Sequence, residues 1–439
     1  MRPGTIMIWK QDVECMDSAG LKTLQGERLR KLIAHIYQNC PAYKQKLDAA
    51  GVVPGSVTSI DDIKRLPFTT KVDMRDNYPY GLFSAPQNQI NEIHVSSGTT
   101  GNPTLVGYTK DDLKLWGDVM ARVLCCAGAE PGDTIQIAYG YGLFTGGLGF
   151  HYGALEMGLR IIPTSSGQTA RQLKIMQDFK PRIIGCTPSY ALYMAEEAKE
   201  MGIDPTQGNW KIGIFGAEPW SESMRREIEV AWNMLATDVY GLSEIIGPGV
   251  AQECTYKDGL HIFSDVFYPE IINPNTGEDV AEGEDGELVI TTLTKQGIPL
   301  IRYRTRDIVS MNSEKCRCGR TSPRISKIKG RTDDMIVVRG INVFPSQIEH
   351  VLVGIEGTQP HYQIVVDRKA HKLDSVEVLV EVEERFFSDE IRKLNELGAQ
   401  IKKKIEAVLS IGVKVTLVEP KTIERSMGKS KRIVDRRTI

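Results

Sequence analysis

The 439-residue sequence predicts an α/β protein: a large N-terminal domain of layered α/β with a small β-rich module, then a small α+β C-terminal domain. Three observations predict it. From about Ile93 to Thr292, short β-rich segments alternate with amphipathic helical ones, the pattern of α/β layers. Gly286 to Thr292 and Leu300 to Met311 read as strands joined by polar turns, forming the β-rich module. After Gly330 the pattern restarts, so the boundary is drawn between residues 330 and 331.

The elements follow in order. Met1 to Met16 holds Lys10, Asp12 and Glu14 and lacks an apolar run ending in small residues, so it does not read as a signal peptide. Thr134 to Leu155 carries no Asp, Glu, Lys or Arg, yet six glycines, Gln136 and His151 interrupt its apolarity. It reads as a buried strand leading into a glycine-rich loop, not as a membrane span. Lys211 to Phe215 is a strand, and Met224, Ile228, Ala231 and Leu235 follow at helical spacing. Beyond Gly330, Ser346-Gln347-Ile348-Glu349 reads as a capping box that starts a helix. Val376, Val378, Val380 and Val382 alternate as a strand, Ser388 to Leu409 reads as a long helix, and Val413 to Val418 as another strand. The basic tail from Lys421 to Arg437 reads as mobile and solvated.

With 41% hydrophobic residues the chain can bury substantial cores, and a net charge of -2 supplies no field for nucleic acid or an anionic membrane. Eight cysteines in a chain without an export signal suggest reduced thiols or metal ligands. The expected location is the cytoplasm, without nucleic-acid or membrane partners.

Four segments carry chemistry. Ser96-Ser97-Gly98-Thr99-Thr100-Gly101 follows the apolar Ile93 and Val95. Its glycines admit a phosphate close to the backbone while amides and hydroxyls donate to it. It is not a Walker A loop, because no Gly-Lys-Ser/Thr follows. Phe215-Gly216-Ala217-Glu218-Pro219 and Tyr240-Gly241-Leu242-Ser243-Glu244 end strands, and Tyr303-Arg304-Thr305-Arg306-Asp307 follows a third. Taken singly these are turn material and a surface ion pair; their joint order points to a nucleotide pocket.

Together these segments resemble the core motifs of the adenylate-forming superfamily of acyl-CoA synthetases, peptide synthetase adenylation domains and luciferases. More narrowly the chain resembles the phenylacetate-CoA ligases. That likeness rests on Leu66 to Lys71, Tyr78 to Phe83, Phe215 to Trp220, and Gly330 to Asp334 continuing to Gly340-Ile341-Asn342-Val343-Phe344-Pro345. The resemblance implies an ATP-dependent, AMP-forming ligase that makes an acyl-adenylate and then a CoA thioester. It implies that Ser96, Ser97, Gly98, Thr99, Thr100 and Gly101 hold the ATP phosphates, and that Glu244 helps ligate Mg²⁺. Gly216, Ala217, Glu218 and Pro219 with Tyr240 would line the adenine, and Asp238, Gly241 and Ser243 extend that set. Asp307 would hold the ribose and Arg331 would contact the nucleotide. Lys429 would neutralise charge as the carboxylate attacks, and the C-terminal domain would rotate at Asp333 between the two steps. Many relatives in the wider superfamily carry a lysine and an arginine where this chain has Thr104 and Asn342; the roles of those two basic residues do not carry over.

Tyr139, Tyr141, Phe144 and Gly147 lie in the glycine-rich stretch that the family places beside the acyl group. They are read equally as an aromatic-acid pocket and as core. Phenylacetate, hydroxyphenylacetate, indoleacetate, benzoate and anthranilate derivatives all stay open as the acid, and a homodimer stays open as the assembly. Cys254, His261, Cys316 and Cys318 make a complete Cys₃His set for a structural Zn²⁺. Against it stands the reading of three reduced cysteines and a surface histidine. Two alternatives to a CoA ligase are an adenylating enzyme that passes the acyl group to a carrier protein, and a nucleotide-binding regulatory module without catalysis.

Overall fold

A computed structural model describes residues 7–95, 104–143, 145–332, 336–338, 341–343, 345–367, 374–384, 391–409, 411–424 and 432–436. Ser96 to Gly101, Phe144, Asp333 and Lys429 lie outside the described residues.

A nine-stranded sheet forms the centre of the N-terminal part. Its order is Met311–Asn312, Arg324–Ile325, Leu260–Ile262, Gly247–Glu253, Leu235–Leu242, Ile212–Gly216, Ile183–Cys186, Thr134–Ile137 and Arg160–Ile162. The five strands from Leu235–Leu242 to Arg160–Ile162 run parallel. Ile183–Cys186 and Ile212–Gly216 are buried along their whole lengths, as strands covered on both faces must be. A four-stranded antiparallel sheet, Phe267–Ile272, Gly286–Thr292, Tyr303–Val309 and Gly330–Arg331, is the expected β-rich module. The C-terminal part has another four-stranded sheet, ordered Lys414–Val418, Ser375–Val382, Thr358–Asp367 and Ile433–Asp435. The helices Pro345–Leu352 and Ile391–Leu409 share with it a core running from Ile336 to Val413, separate from the N-terminal cores.

The structure departs from the sequence reading at five places. The uncharged stretch gives the strand Thr134–Ile137, but its glycine-rich half is the helix Gly146–Met157 and not a loop. Glycine lets this helix approach the helix Lys110–Cys126: a Cβ on Gly153 would lie 2.4 Å from the Cβ of Met120. Leu235 is not part of the preceding helix, Glu222–Trp232, because Asn233 turns left-handed at φ 51° and Leu235 opens the next strand. Leu300 to Met311 is broken, with pairing only over Tyr303–Val309 and Met311–Asn312. The helix expected at Ser346 begins at Pro345, and Glu349 also reaches outside its own helix. Its Oε1 accepts from the Ser221 amide at 3.2 Å and its Oε2 from the Tyr362 hydroxyl at 3.4 Å. The basic tail is in part structured, because Ile433–Asp435 pairs in parallel with Thr358–Asp367.

Candidate active site

Adjacent parallel strands bring their C-terminal ends together, and Gly216 pairs with Val239 one residue before Tyr240. Gly216 has no room for a side chain, since a Cβ there would lie 2.3 Å from the Val239 carbonyl oxygen. Ala217 follows at φ 70°, turning the chain off the strand. Glu218 is committed within the fold, accepting from the Ser189 amide at 2.8 Å. The antiparallel strand Tyr303–Val309 reaches the same place: the Tyr240 hydroxyl donates to Asp307 Oδ2 at 2.6 Å, and Arg331 Nη1 donates to Asp307 Oδ1 at 2.7 Å. Burial, reinforced by the Asp307 carboxylate, pushes the Tyr240 phenol well above its ordinary range, so it stays a donor. Residues 67 positions apart thus converge on one carboxylate. A carboxylate offers about four lone-pair sites, which leaves Asp307 able to accept from a diol.

Past the strand, Ser243 Oγ lies 3.1 Å from Thr145 Oγ1. Glu244 is buried except for its edge, and Lys71 Nζ stands 3.6 Å from its Oε1. Lys71 belongs to the Leu66 to Lys71 motif, but nothing in that motif alone pointed to Glu244. Asp238 sits beside a charged cluster: its amide donates to Glu253 Oε2 at 2.9 Å. Burial and that carboxylate push it up to about 7, with Lys327 opposing. Tyr139 is core by packing, stacked on Phe150 at 5.1 Å beside Cys186 and Glu218. Tyr141 is half-buried, with its hydroxyl 3.3 Å from His151 Nδ1. Gly147 fits under this turn, its amide donating to the Gly140 carbonyl at 3.1 Å.

The four expected zinc ligands are gathered. One ligand atom from each of Cys254, His261, Cys316 and Cys318 falls within 4.8 Å of all the others, and all four residues are buried. Cys254 Sγ and Cys316 Sγ are 3.8 Å apart, and Cys318 Sγ is 3.4 Å from His261 Nε2. A tetrahedron with Zn–S of about 2.3 Å and Zn–N of about 2.0 Å has edges of about 3.8 and 3.5 Å. The residues therefore fit a zinc ion, and the histidine is no surface residue. Its other ring nitrogen, Nδ1, lies 3.3 Å from Ser322 Oγ, the outer-shell partner such a ligand needs. Gly319, at φ 98°, turns the knuckle. A hydrogen bond from Cys254 draws the Cys318 thiol far down, burial opposing and His261 assisting. Arg320 Nη1 donates to Cys318 Sγ at 3.7 Å and its Nε to Glu14 at 2.6 Å, which ties the N-terminal segment to the knuckle. Neither Ser322 nor Arg320 had a sequence signal, because each acts through a fold contact.

Among the described residues no helix is long and apolar enough to cross a membrane. The sequence pattern of the AMP-binding enzyme family matches residues 33–294, and that of the AMP-binding enzyme C-terminal domain matches residues 340–437. The phenylacetate-coenzyme A ligase of Thermus thermophilus is 46% identical over 98% of this chain and 100% of its own length. That of Escherichia coli (strain K12) is 47% identical over 95% of each chain. Among solved structures, 2-hydroxyisobutyryl-CoA ligase in the postadenylation state, bound to an acyl-AMP, superposes with a TM-score of 0.92 at 27% identity, covering 99% of this chain and 94% of that one. The same enzyme in the thioesterification state, with CoA, gives 0.72 at 28% identity, covering 97% and 92%. By its matches along nearly the whole chain, the protein belongs to the AMP-binding enzyme family and, within it, to the phenylacetate-coenzyme A ligases.

Proposed function

We propose that this chain activates phenylacetate, or a closely related aromatic acid, by ATP-dependent, AMP-forming ligation to CoA. The observation that carries the reading is the Tyr240, Asp307 and Arg331 set beside Gly216 and Ala217, in a chain 46–47% identical to phenylacetate ligases. A carboxylate oxygen attacks the α-phosphorus of ATP, and the bond to pyrophosphate breaks. The CoA sulfur then attacks the acyl carbon and AMP departs with the electron pair. Asp307 accepts the ribose hydroxyls while Tyr240 and Arg331 hold its carboxylate in place. Ser96 to Gly101 cradle the phosphates, and Lys429 offsets the charge that develops during adenylation.

A divalent cation arriving with ATP would be met by Glu244, whose hard carboxylate oxygen suits Mg²⁺, and would neutralise phosphate charge. Lys71, 3.6 Å from Glu244 Oε1, adds positive charge beside it. Tyr141, Phe144 and Gly147 form the acyl side of the site, with Tyr139 as its backing. Zn²⁺ held by Cys254, His261, Cys316 and Cys318 would be a staple, since four protein ligands leave no open position. The C-terminal part turns at Asp333 between the two steps, a reading supported by the two states in which 2-hydroxyisobutyryl-CoA ligase has been solved. ATP and CoA as co-substrates favour work in the cytoplasm.

The test is a panel of aromatic acids with ATP and CoA. The expected result is AMP and an acyl-CoA in equal amounts, with phenylacetate the best substrate. Pyrophosphate exchange with acid alone, and no transfer to CoA, would instead favour a carrier-protein thiol as acceptor. No ATP turnover with any acid of the panel would sink the reading.

A further inference from the structure

Lys295 is 2% exposed and lies beneath the segment that carries Glu244. Its ammonium donates to the Ile245 carbonyl at 2.7 Å and to the Glu244 carbonyl at 3.4 Å. It also stands over the ring of Tyr108, 4.8 Å from the centroid, and the Tyr108 hydroxyl donates to the Ile246 carbonyl at 3.0 Å. Three successive carbonyls, those of residues 244, 245 and 246, are therefore gripped from below by two side chains. The lysine itself is anchored. Asp112, at the start of the helix Lys110–Cys126, accepts from the Gln296 amide at 2.7 Å and the Gly297 amide at 2.8 Å.

A buried ammonium without a carboxylate in hydrogen-bond contact is costly, and a methionine would fill much the same space without that cost. What the lysine adds is direction. Charge-assisted bonds to two adjacent carbonyls fix the peptide planes around Glu244 and hence where its carboxylate points. We propose that Lys295 is a positioning residue for adenylation, orienting Glu244 toward the metal-bound phosphates of ATP. The proposal rests on the reading of Glu244 given above.

Burial pushes Lys295 down to about 8, against the pull of Asp112 and Glu244. The groups facing it are Asp112 from the helix, Glu244 from the segment above and Tyr108 from the neighbouring strand, whose phenol is pushed well above its ordinary range by burial and stays neutral. The role of the lysine rests on its bonds to the carbonyls of residues 244 and 245.

The experiment is acid-dependent ATP–pyrophosphate exchange, titrated with Mg²⁺ and ATP. Lys295→Met should raise the Mg²⁺ needed for half-maximal exchange by about 10- to 100-fold, the usual effect of losing a ligand's supporting partner, with the KM for the acid unchanged. Tyr108→Phe removes the grip on the Ile246 carbonyl and should raise the same Mg²⁺ requirement, so the test does not depend on one variant folding. A folded Lys295→Met with unchanged Mg²⁺ and ATP requirements or, where that variant does not fold, a folded Tyr108→Phe with unchanged requirements overturns the proposal. Glu244→Gln separates the two readings. If it shifts the Mg²⁺ requirement and Lys295→Met does not, only the positioning role falls. If Glu244→Gln shifts nothing, the reading of Glu244 falls and the proposal with it.

Discussion

At the scale of single residues, the site turns on Asp307, whose two oxygens are each oriented by a different neighbour. Asp307→Asn replaces one acceptor oxygen by an NH₂ that must face either the Tyr240 hydroxyl or the Arg331 guanidinium. A hydrogen bond to a charged group contributes about 1.5–3 kcal/mol, so the KM for ATP should rise on the order of 10-fold or more with the KM for CoA unchanged. Equal rises for both substrates in steady-state assays would move Asp307 out of the ribose site. Lys429→Ala should lower adenylation on the order of 100-fold or more while leaving thioester formation from supplied acyl-adenylate intact; single-turnover assays of each half-reaction check this. Asp307, Tyr240 and Glu244 stood out in the sequence because each sits in a short motif, although Asp307 lies within the strand Tyr303–Val309 and not after one. Their partners stood out less. Arg331 was linked to the nucleotide, but its bond to Asp307 joins segments that meet only through antiparallel pairing. Lys71 and Lys295 reach Glu244 across long stretches of chain with no local signature.

Individual elements were legible where periodicity and composition agreed. Gly286–Thr292 and Ser375–Val382 match their alternating or β-rich patterns closely. The helix Gly146–Met157 was hidden by its glycines, which signal a loop by propensity but here permit close helix contact. Gly153→Ala tests that account. Its methyl would press on Met120 side-chain and backbone atoms at 2.4 and 2.6 Å, an overpacking that costs about 1–3 kcal/mol. The melting temperature should fall, whereas alanine's better helix propensity alone would raise it. The Cys₃His cluster was legible as a possible ligand set but not as a joint with the N-terminal segment, which depends on the buried Glu14–Arg320 pair. Protein purified without added zinc should hold about one zinc per chain, and Cys316→Ser should lower zinc content and melting temperature together. Metal-free protein with unchanged melting would remove the staple.

The whole molecule joins two separately cored parts, and among the described residues polar contacts cross between them. Lys421 Nζ meets Glu200 at 2.8 Å, His361 Nε2 lies 3.7 Å from Glu196, and Glu349 accepts from the Ser221 amide at the start of Glu222–Trp232. The Lys421–Glu200 pair is exposed and is worth little, whereas His361 is buried beside a half-exposed Glu196. Glu349 is a buried carboxylate. Burial pushes its carboxyl up from the ordinary range, with Arg432 opposing and Glu218 adding to the rise; Ser221 and Tyr362 donate to it. The present arrangement, close to a postadenylation state, therefore binds a proton at Glu349 more readily than one that exposes it to water. The sign follows: acidification into the range of that raised pKa favours this arrangement, and at higher pH the ionised carboxylate carries its burial cost. Glu349→Gln keeps an acceptor for Ser221 and removes the charge, so the pH dependence of the balance between half-reactions should flatten. Glu349→Ala removes the acceptor and should shift the balance toward thioester formation, read as a higher ratio of thioesterification to adenylation rates in single-turnover assays. If both variants keep the ratio and the pH profile of the unaltered enzyme, Glu349 packs the interface without governing which arrangement prevails.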